Sequence, residues 1–283
     1  MPAIDYEKEY DNRARVTEHP EIFARWHREA AAYRAAARDA ELGIPYGPSP
    51  RQIIDLFPAK IGAAAAPLAI YIHGGWWRTL HPAEFSHMAV GLNARGVTVA
   101  IAGYDLCPQV SIAAIVDEMR AACLYLWRKQ RKRIFVYGHS AGGHLAACLA
   151  AQDWKAFASD APADLVPAAY AISGAFDLAP LTQISVNQDL RLTEAEALRL
   201  SPVHWKVPAG RRLDAVVGAL ESSEFLRQSK SIADAWHARG VETRYQEMAG
   251  ANHFTAIDAL GDPASAMTGR VVEMAKQVGA MAL

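Results

Sequence analysis

Apolar residues in the first part of the chain recur at the spacing of a helix. After Pro20, one apolar face repeats every three or four residues, through Ile22, Trp26, Ala30, Tyr33 and Ala37. This spacing predicts a helix with proline in its first turn, and the stretch GIPYGPSP at 43–50 ends it. The same period predicts three later helices: 112–127, 223–239 closed by Gly240, and a last helix begun by Asp262 and Pro263.

Short apolar runs rich in β-branched and aromatic residues alternate with these helices. In chain order they are QIIDLF, LAIYIH, VTVAIAG, IFVYG, AYAISG, LDAVVG and ETRYQEM. The alternation predicts an α/β fold, in which a mostly parallel central sheet is flanked by helices and the crossovers are right-handed. We expect a single domain over residues 1–283, with residues 1–50 as an N-terminal helical extension.

Residues 178–210 interrupt the alternation. The interval contains charges, prolines and one helical piece, TEAEALRL at 193–200, but no strand pattern. We therefore predict a small insertion that lies over one end of the sheet and forms part of a lid.

Composition and charge narrow the class of partner. The 283 residues are 52% hydrophobic and carry 29 Lys and Arg against 30 Asp and Glu, so no broad electrostatic field favours nucleic acid or an anionic membrane. The basic run RKQRKR at 128–133 falls where a helix ends, and cations there complement the helix C-terminus.

The first ten residues lack the basic-then-apolar order of a secretory signal, and no run reaches the roughly 20 apolar residues of a membrane span. We expect a cytoplasmic protein with a small-molecule partner.

Neither the cysteines nor the histidines predict a metal site. Cys107, Cys123 and Cys148 are an odd number without CxxC spacing, so we expect small buried hydrophobic side chains. His139 and His144 are five positions apart, whereas a zinc-binding helix places its two histidines four apart. We expect no metal and no cofactor.

One serine has the sequence context of a nucleophile. Gly138-His139-Ser140-Ala141-Gly142 fits the pattern G-x-S-x-G between the apolar run RIFVY and an alanine-rich segment. In this pattern the serine occupies a tight strand-to-helix turn, and the glycines remove side chains that would collide with neighbouring backbone. Because a serine hydroxyl is a weak nucleophile at neutral pH, it needs a base and an acid that orients the base.

The base and the acid are expected after the serine, at the ends of later strands. Among the histidines downstream, His237 lies inside a predicted helix and His204 in the insertion, whereas His253 follows the strand ETRYQEM through a glycine-containing loop. We predict His253 as the base. Glu221 comes just after the strand LDAVVG and is our predicted acid, with Asp177 as the rival.

The segment YIHGGWW suggests the site that would stabilise the oxyanion. Gly74, Gly75 and Trp76 follow the strand LAIYI, from which a backbone N–H can reach a substrate carbonyl, and Ala141 after the serine supplies the second N–H. Aromatic side chains are expected to line an acyl or aryl pocket. The predicted substrate-binding residues are Trp76, Trp77, Phe176 and His204.

Five blocks of the sequence resemble the α/β-hydrolase superfamily. They are HGGWW at 73–77, GHSAGGHL at 138–145, SGAFDLAPL at 173–181, LESSEFLRQS at 220–229 and GANHF at 250–254. Within the superfamily, the chain is similar to the hormone-sensitive-lipase-like branch, which contains arylformamidases (kynurenine formamidases) and related carboxylesterases. The resemblance implies a triad of Ser140, Glu221 and His253 and an oxyanion site around Gly74, Gly75, Trp76 and Ala141. It places Asp177 in a structural motif.

Two positions depart from the usual arylformamidase pattern. Trp76 stands where HGGYW has tyrosine, which removes a hydroxyl from the site and enlarges its apolar wall. Glu221 is followed by two serines, where these enzymes usually have an aspartate followed by Ser-Pro. Glutamate also orients histidine in some esterases of this fold.

The combined expectation is a serine hydrolase that cleaves esters of small, mostly apolar or aryl substrates through an acyl-enzyme. An arylformamidase acting on N-formyl arylamines such as N-formylkynurenine is the first alternative. A ligand-binding protein of the hydrolase fold without turnover is the second alternative. Analogy alone suggests a homodimer.

Overall fold

An eight-stranded sheet forms the centre of the computed structural model, which describes residues 4–281. The strands are β1 Glu41–Pro45, β2 Ile53–Phe57, β3 Leu68–Ile72, β4 Thr98–Ala102, β5 Ile134–His139, β6 Ala168–Ile172, β7 Arg212–Gly218 and β8 Glu242–Met248. Their spatial order is β1-β2-β4-β3-β5-β6-β7-β8. Only the pairs β1–β2 and β2–β4 are antiparallel among these strands, so the predicted mostly parallel sheet is confirmed.

Helices cover both faces of the sheet. They are α1 Tyr6–Tyr10, α2 Asn12–Arg15, α3 His19–Ala36, α4 Val90–Ala94, α5 Ile112–Gln130, α6 Ala141–Ala150, α7 Trp154–Phe157, α8 Asn187–Leu190, α9 Glu194–Arg199, α10 Ser223–His237 and α11 Ala266–Gly279. The α/β-hydrolase fold predicted from the sequence therefore has helices on both sides.

The two faces of the sheet are packed in separate apolar cores. Leu68, Ile70 and Ile72 of β3 join the core that contains α5, α6 and α10. Ala69 and Tyr71 point to the opposite core, with α3, α4 and α11. Because both faces are covered, every residue of β3 is buried, and this accounts for the continuous apolar run in its sequence.

Several boundaries differ from the predicted ones. The N-terminal extension is not wholly helical, because residues 41–45 pair as β1 with β2 along the edge of the sheet. The last helix begins at Ala266 rather than at Asp262, and its N-cap is Ser265, whose side chain accepts a hydrogen bond from Thr268 N–H. Helix α10 is capped by Ser222 in the same way. Local serine caps, rather than proline or acidic residues, decide these helix starts.

The segment 178–210 contains short 3₁₀ turns, α8 and α9. It contains no strand, as predicted. Residues 184–186 reach the pocket described below. No helix within residues 4–281 has the length and apolar character needed to cross a bilayer.

Candidate active site

Ser140 lies at a strained turn between β5 and α6. Its φ is +56° and its ψ is −119°, a conformation that non-glycine residues adopt rarely and mostly at functional sites. A Cβ on Gly142 would collide with the carbonyl oxygen of Ile72, and a Cβ on Gly138 would collide with that of Gly142. The two glycines of the motif are therefore required by close backbone packing around the serine.

The three residues of the predicted triad form one hydrogen-bonded line. His253 Nε2 lies 3.1 Å from Ser140 Oγ, and His253 Nδ1 lies 2.6 Å from Glu221 Oε2. All three side chains are buried. Since Glu221 accepts from Nδ1–H, Nε2 is left as the acceptor for the serine proton. The arrangement can remove a proton from the hydroxyl and return it to a leaving group.

A second set of contacts holds the carboxylate of Glu221. Its Oε1 accepts hydrogen bonds from the Ser173 hydroxyl at 2.5 Å and from Gly218 N–H at 2.7 Å. Ser173 follows β6 and has a φ of +52°. Ser173 was not predicted from the sequence, although its position inside the block SGAFDLAPL was a signal. With these donors, one carboxylate oxygen is fixed and the other faces the histidine.

Asp177, the rival acid, has a different environment. Its carboxylate lies 3.6 Å from the guanidinium of Arg227, and its Oδ1 caps the backbone N–H of Ala179. Its backbone carbonyl accepts a hydrogen bond from Gln228. The contacts of Asp177 are therefore structural and lie outside the line that joins Ser140 to Glu221.

His139, the last residue of β5, supports the base. Its Nε2 lies 2.8 Å from the backbone carbonyl of His253. Burial, together with the nearby His253, lowers the pKa of His139 well below its usual value of 6.5. A neutral ring donates this hydrogen bond through Nε2–H, and thereby holds the loop that carries His253.

The glycine loop after β3 faces the serine. A Cβ on Gly74 would lie only 3.0 Å from the Cβ of Ser140, so a side chain at this position would push against the serine. Gly75 has a φ of +105°. Ala141 begins α6, where the first backbone N–H groups have no partner inside the helix. Gly74, Gly75 and Ala141 therefore lie where backbone donors can meet an oxyanion formed at Ser140.

A cavity of about 280 Å³ opens onto the serine. Its apolar wall is formed by Trp76, Leu80, Phe85, Phe23, Trp26, Phe254, Ile184 and Val186. Ligand pockets are typically about 300–1,000 Å³. This cavity lies at the small end of that range and therefore suits a small ligand.

Three of the four predicted substrate-binding residues lie outside this cavity. Trp76 lines it, but Trp77 is fully buried in the core and packs edge-on against His144 at 5.1 Å. Phe176 is also fully buried in the core. His204 is exposed on a 3₁₀ turn. The structure does not bring Trp77, Phe176 and His204 to this cavity, because core packing and surface exposure place these side chains elsewhere.

A further part of the wall comes from the N-terminal segment, which was not predicted from the sequence to belong to the site. We call it the N-terminal wall; it consists of Glu7, Tyr10, Asp11, Asn12 and Arg13. The hydroxyl of Tyr10 donates to Glu224 at 3.1 Å and accepts from Gln228 at 2.8 Å. Burial raises the pKa of Tyr10 far above its usual value, so the phenol stays protonated. These contacts join α1 to α10.

The comparisons with known proteins agree with this geometry. Residues 69–257 match the family described as having the alpha/beta hydrolase fold. A kynurenine formamidase of Salmo salar is 32% identical over 78% of this chain and 77% of its own length. The isoprenylcysteine alpha-carbonyl methylesterase of Arabidopsis thaliana is 25% identical over 77% of this chain and 57% of its own length.

A solved structure extends the match to nearly the whole chain. A candidate thioesterase from Silicibacter sp. superimposes with a TM-score of 0.83 at 28% identity, and the match covers 95% of this chain and 99% of that protein. The resemblance found in the motifs is thereby confirmed. The chain belongs to the α/β-hydrolase family and is a serine hydrolase.

Proposed function

We propose that this enzyme hydrolyses N-formyl arylamines such as N-formylkynurenine, with Ser140 as the nucleophile. The observation that carries the proposal is the hydrogen-bonded line from Ser140 through His253 to Glu221, which opens onto an aromatic cavity. We favour N-formyl substrates over substrates with other acyl groups, because a relative that matches most of the chain is a kynurenine formamidase. The intact hydrogen-bonded triad also argues against a protein of this fold that binds a ligand without hydrolysing it.

In the proposed reaction, Ser140 Oγ attacks the formyl carbon while His253 Nε2 takes the serine proton. The oxyanion forms beside the backbone N–H groups of Gly75 and Ala141. His253 then protonates the aryl nitrogen, the C–N bond breaks, and a formyl ester remains on the serine. Water attacks this ester with His253 as base, and formate leaves as the serine regains its proton. Glu221 keeps the imidazole in the required tautomer.

Small aryl esters are the second candidate. Their hydrolysis needs the same nucleophile and base. Two observations support esters as substrates: the methylesterase relative and the mainly apolar wall around Trp76. This was the first expectation from the sequence. The two candidates differ in the leaving atom, which is nitrogen in the formamide and oxygen in the ester.

The kcat/KM of the purified enzyme for N-formylkynurenine and for p-nitrophenyl acetate tests the proposal. We expect a higher kcat/KM for N-formylkynurenine, with both activities lost in Ser140→Ala. Turnover of p-nitrophenyl acetate without turnover of the formamide would establish the ester alternative.

A further inference from the structure

Asn12 has a buried side-chain amide in the wall of the cavity. The residue begins α2, is only 5% exposed and lines the cavity that contains Ser140. Neither its Oδ1 nor its Nδ2 has a hydrogen-bond partner within residues 4–281. Buried polar groups of folded proteins are almost always paired. An unpaired amide in the wall of a site therefore indicates a partner that arrives with the ligand.

The backbone around Asn12 is fixed on both sides. Asp11 caps α2, since its Oδ1 accepts from Ala14 N–H at 3.0 Å. The carbonyl oxygen of Asn12 accepts from Val16 N–H at 3.0 Å. Tyr10 is held by its contacts with α10. The side chain of Asn12 is thus presented by a rigid support, which is a condition for selective recognition.

The charges around Asn12 have both signs. Glu7 accepts from the backbone N–H and the hydroxyl of Ser185 at 2.7 and 2.5 Å, and Asp11 adds a second carboxylate. The Arg13 guanidinium lies 5.8 Å from the Phe23 ring and forms no ion pair in the part of the chain that the structure describes. Because charges of both signs surround it, a neutral amide selects a ligand by hydrogen bonding rather than by net charge.

We propose that Asn12 is a specificity-determining residue whose side chain turns toward the cavity when substrate binds, so that its Nδ2 donates a hydrogen bond to a carbonyl or carboxylate oxygen in the leaving half of the substrate. The inference rests on the proposed function. A buried N–H without a partner is rarer than a buried carbonyl without one, so the donor is the group that most requires a ligand atom. A formyl group has one carbon, which is held at Ser140, and the acceptor that meets Asn12 therefore belongs to the leaving half.

A pair of formamides tests this assignment. N-formylkynurenine carries ketone and carboxylate oxygens in its leaving half, whereas formanilide carries none. We expect Asn12→Leu to lower the ratio of kcat/KM for N-formylkynurenine to that for formanilide by at least about tenfold. Asn12→Asp, which keeps the size but removes the N–H donors, lowers the ratio in the same direction.

Asn93 offers a matched control. It is fully buried, and its Nδ2 donates to the carbonyl oxygens of Phe57 at 2.9 Å and Val97 at 2.8 Å. Asn93→Leu breaks both bonds, together with the one that Asn93 Oδ1 accepts from the Tyr33 hydroxyl at 2.5 Å, and is expected to lower the Tm while preserving the substrate ratio. Asn12→Leu breaks no bond within the described chain, so its Tm is expected to match that of the parent or exceed it.

Binding of the product provides a readout that needs no turnover. In the Ser140→Ala background, isothermal titration with kynurenine and with aniline is expected to show that Asn12→Leu raises the Kd of kynurenine at least about tenfold more than that of aniline. An unchanged Kd for kynurenine, no binding of kynurenine, or an unchanged kcat/KM ratio overturns the role of Asn12. A wild-type enzyme that hydrolyses neither formamide overturns the proposed function instead, and the titration still decides on Asn12.

Discussion

The triad and the N-terminal wall are built in different ways. Ser140, Glu221 and His253 each follow the end of a parallel strand, and each is held by backbone or side-chain contacts inside the sheet. The N-terminal wall belongs to the short helices α1 and α2, which are joined to the rest of the molecule by side chains such as Tyr10 and Glu7. The rigid sheet thus fixes the reacting groups, while a separate segment completes the cavity.

Because of this difference, we expect substitutions in the triad and in the N-terminal wall to have different effects on catalysis. Changes in the triad should abolish the chemical step without altering which substrate is preferred. Changes in the N-terminal wall should alter binding and preference while the chemical step persists. Three predictions test this separation and one tests the stability of the sheet region, in order of decreasing effect.

Replacing the nucleophile should have the largest effect. Ser140→Ala is expected to lower kcat at least about a thousandfold, because the remaining backbone donors cannot supply a nucleophile. Steady-state hydrolysis of N-formylkynurenine and of p-nitrophenyl acetate measures the loss. The exposed Ser159, changed to alanine, is the matched control and should retain the parent rate. Comparable rates in Ser140→Ala and in the control would contradict the assignment.

Removing the charge of the acid should have a smaller effect. Glu221→Gln is expected to lower kcat at least about a hundredfold, because the amide no longer stabilises the imidazolium or fixes the tautomer of His253. Asp177→Asn serves as the control, and its kcat should stay within about threefold of the parent. A larger loss in Asp177→Asn than in Glu221→Gln would reverse the choice between the two acids.

Acid should destabilise the sheet region through its buried histidines. Burial lowers the pKa of His144 to about 4 and that of His73 to about 3, both from 6.5. The unfolded chain therefore protonates these two imidazoles at a higher pH than the folded protein does. As a result, the stability present above pH 6.5 is lost as the pH falls from 6.5 toward 4. For His144 alone, the loss between pH 7 and pH 5 is about 2 kcal/mol.

His144→Gln tests this prediction. Glutamine can keep the hydrogen bond to the carbonyl oxygen of Leu200, which His144 Nε2 makes at 2.8 Å, but it takes up no proton. Urea unfolding at pH 7 and pH 5 should therefore show a smaller pH difference in the free energy of unfolding than in the parent. An equal difference in both proteins would show that His144 does not contribute to acid sensitivity.

Loosening the N-terminal wall should have the smallest effect. Tyr10→Phe removes the hydroxyl that joins α1 to Glu224 and Gln228. We expect KM to rise by about two- to fivefold, in line with the loss of one or two modest hydrogen bonds, while kcat falls less. Tyr245→Phe is the control, because that hydroxyl contacts only Glu247 on its own strand among the described residues. A fall in kcat with unchanged KM would mean that Tyr10 supports the triad instead.

The triad could be predicted from the sequence because its signals are local. Ser140 lies between glycines whose absent side chains make room for neighbouring backbone, and Glu221 and His253 each follow a recognisable strand. The strand periodicity places all three at the same edge of the sheet. The sequence favoured Glu221 over Asp177 but could not show the contacts of Asp177, because its ion pair with Arg227 joins distant parts of the chain.

The N-terminal wall could not be predicted, because its signals are not local. Residues 5–15 are mostly charged or polar and have no apolar period that would mark them as part of a site. Their position depends on contacts more than 170 residues away in the chain, such as that between Glu7 and Ser185. The two adjacent tryptophans illustrate the same limit, since Trp76 lines the cavity and Trp77 enters the core although both have a φ near +54°.

Covalent labelling tests the central claim, that Ser140 is a nucleophile activated by His253 and Glu221, most directly. The wild-type enzyme is incubated with a fluorophosphonate, and its intact mass is measured, followed by peptide mapping. We predict one adduct, on Ser140, which is absent in Ser140→Ala and forms much more slowly in Glu221→Gln. An adduct on another residue, or an unmodified Ser140 in the wild-type enzyme, would contradict the account.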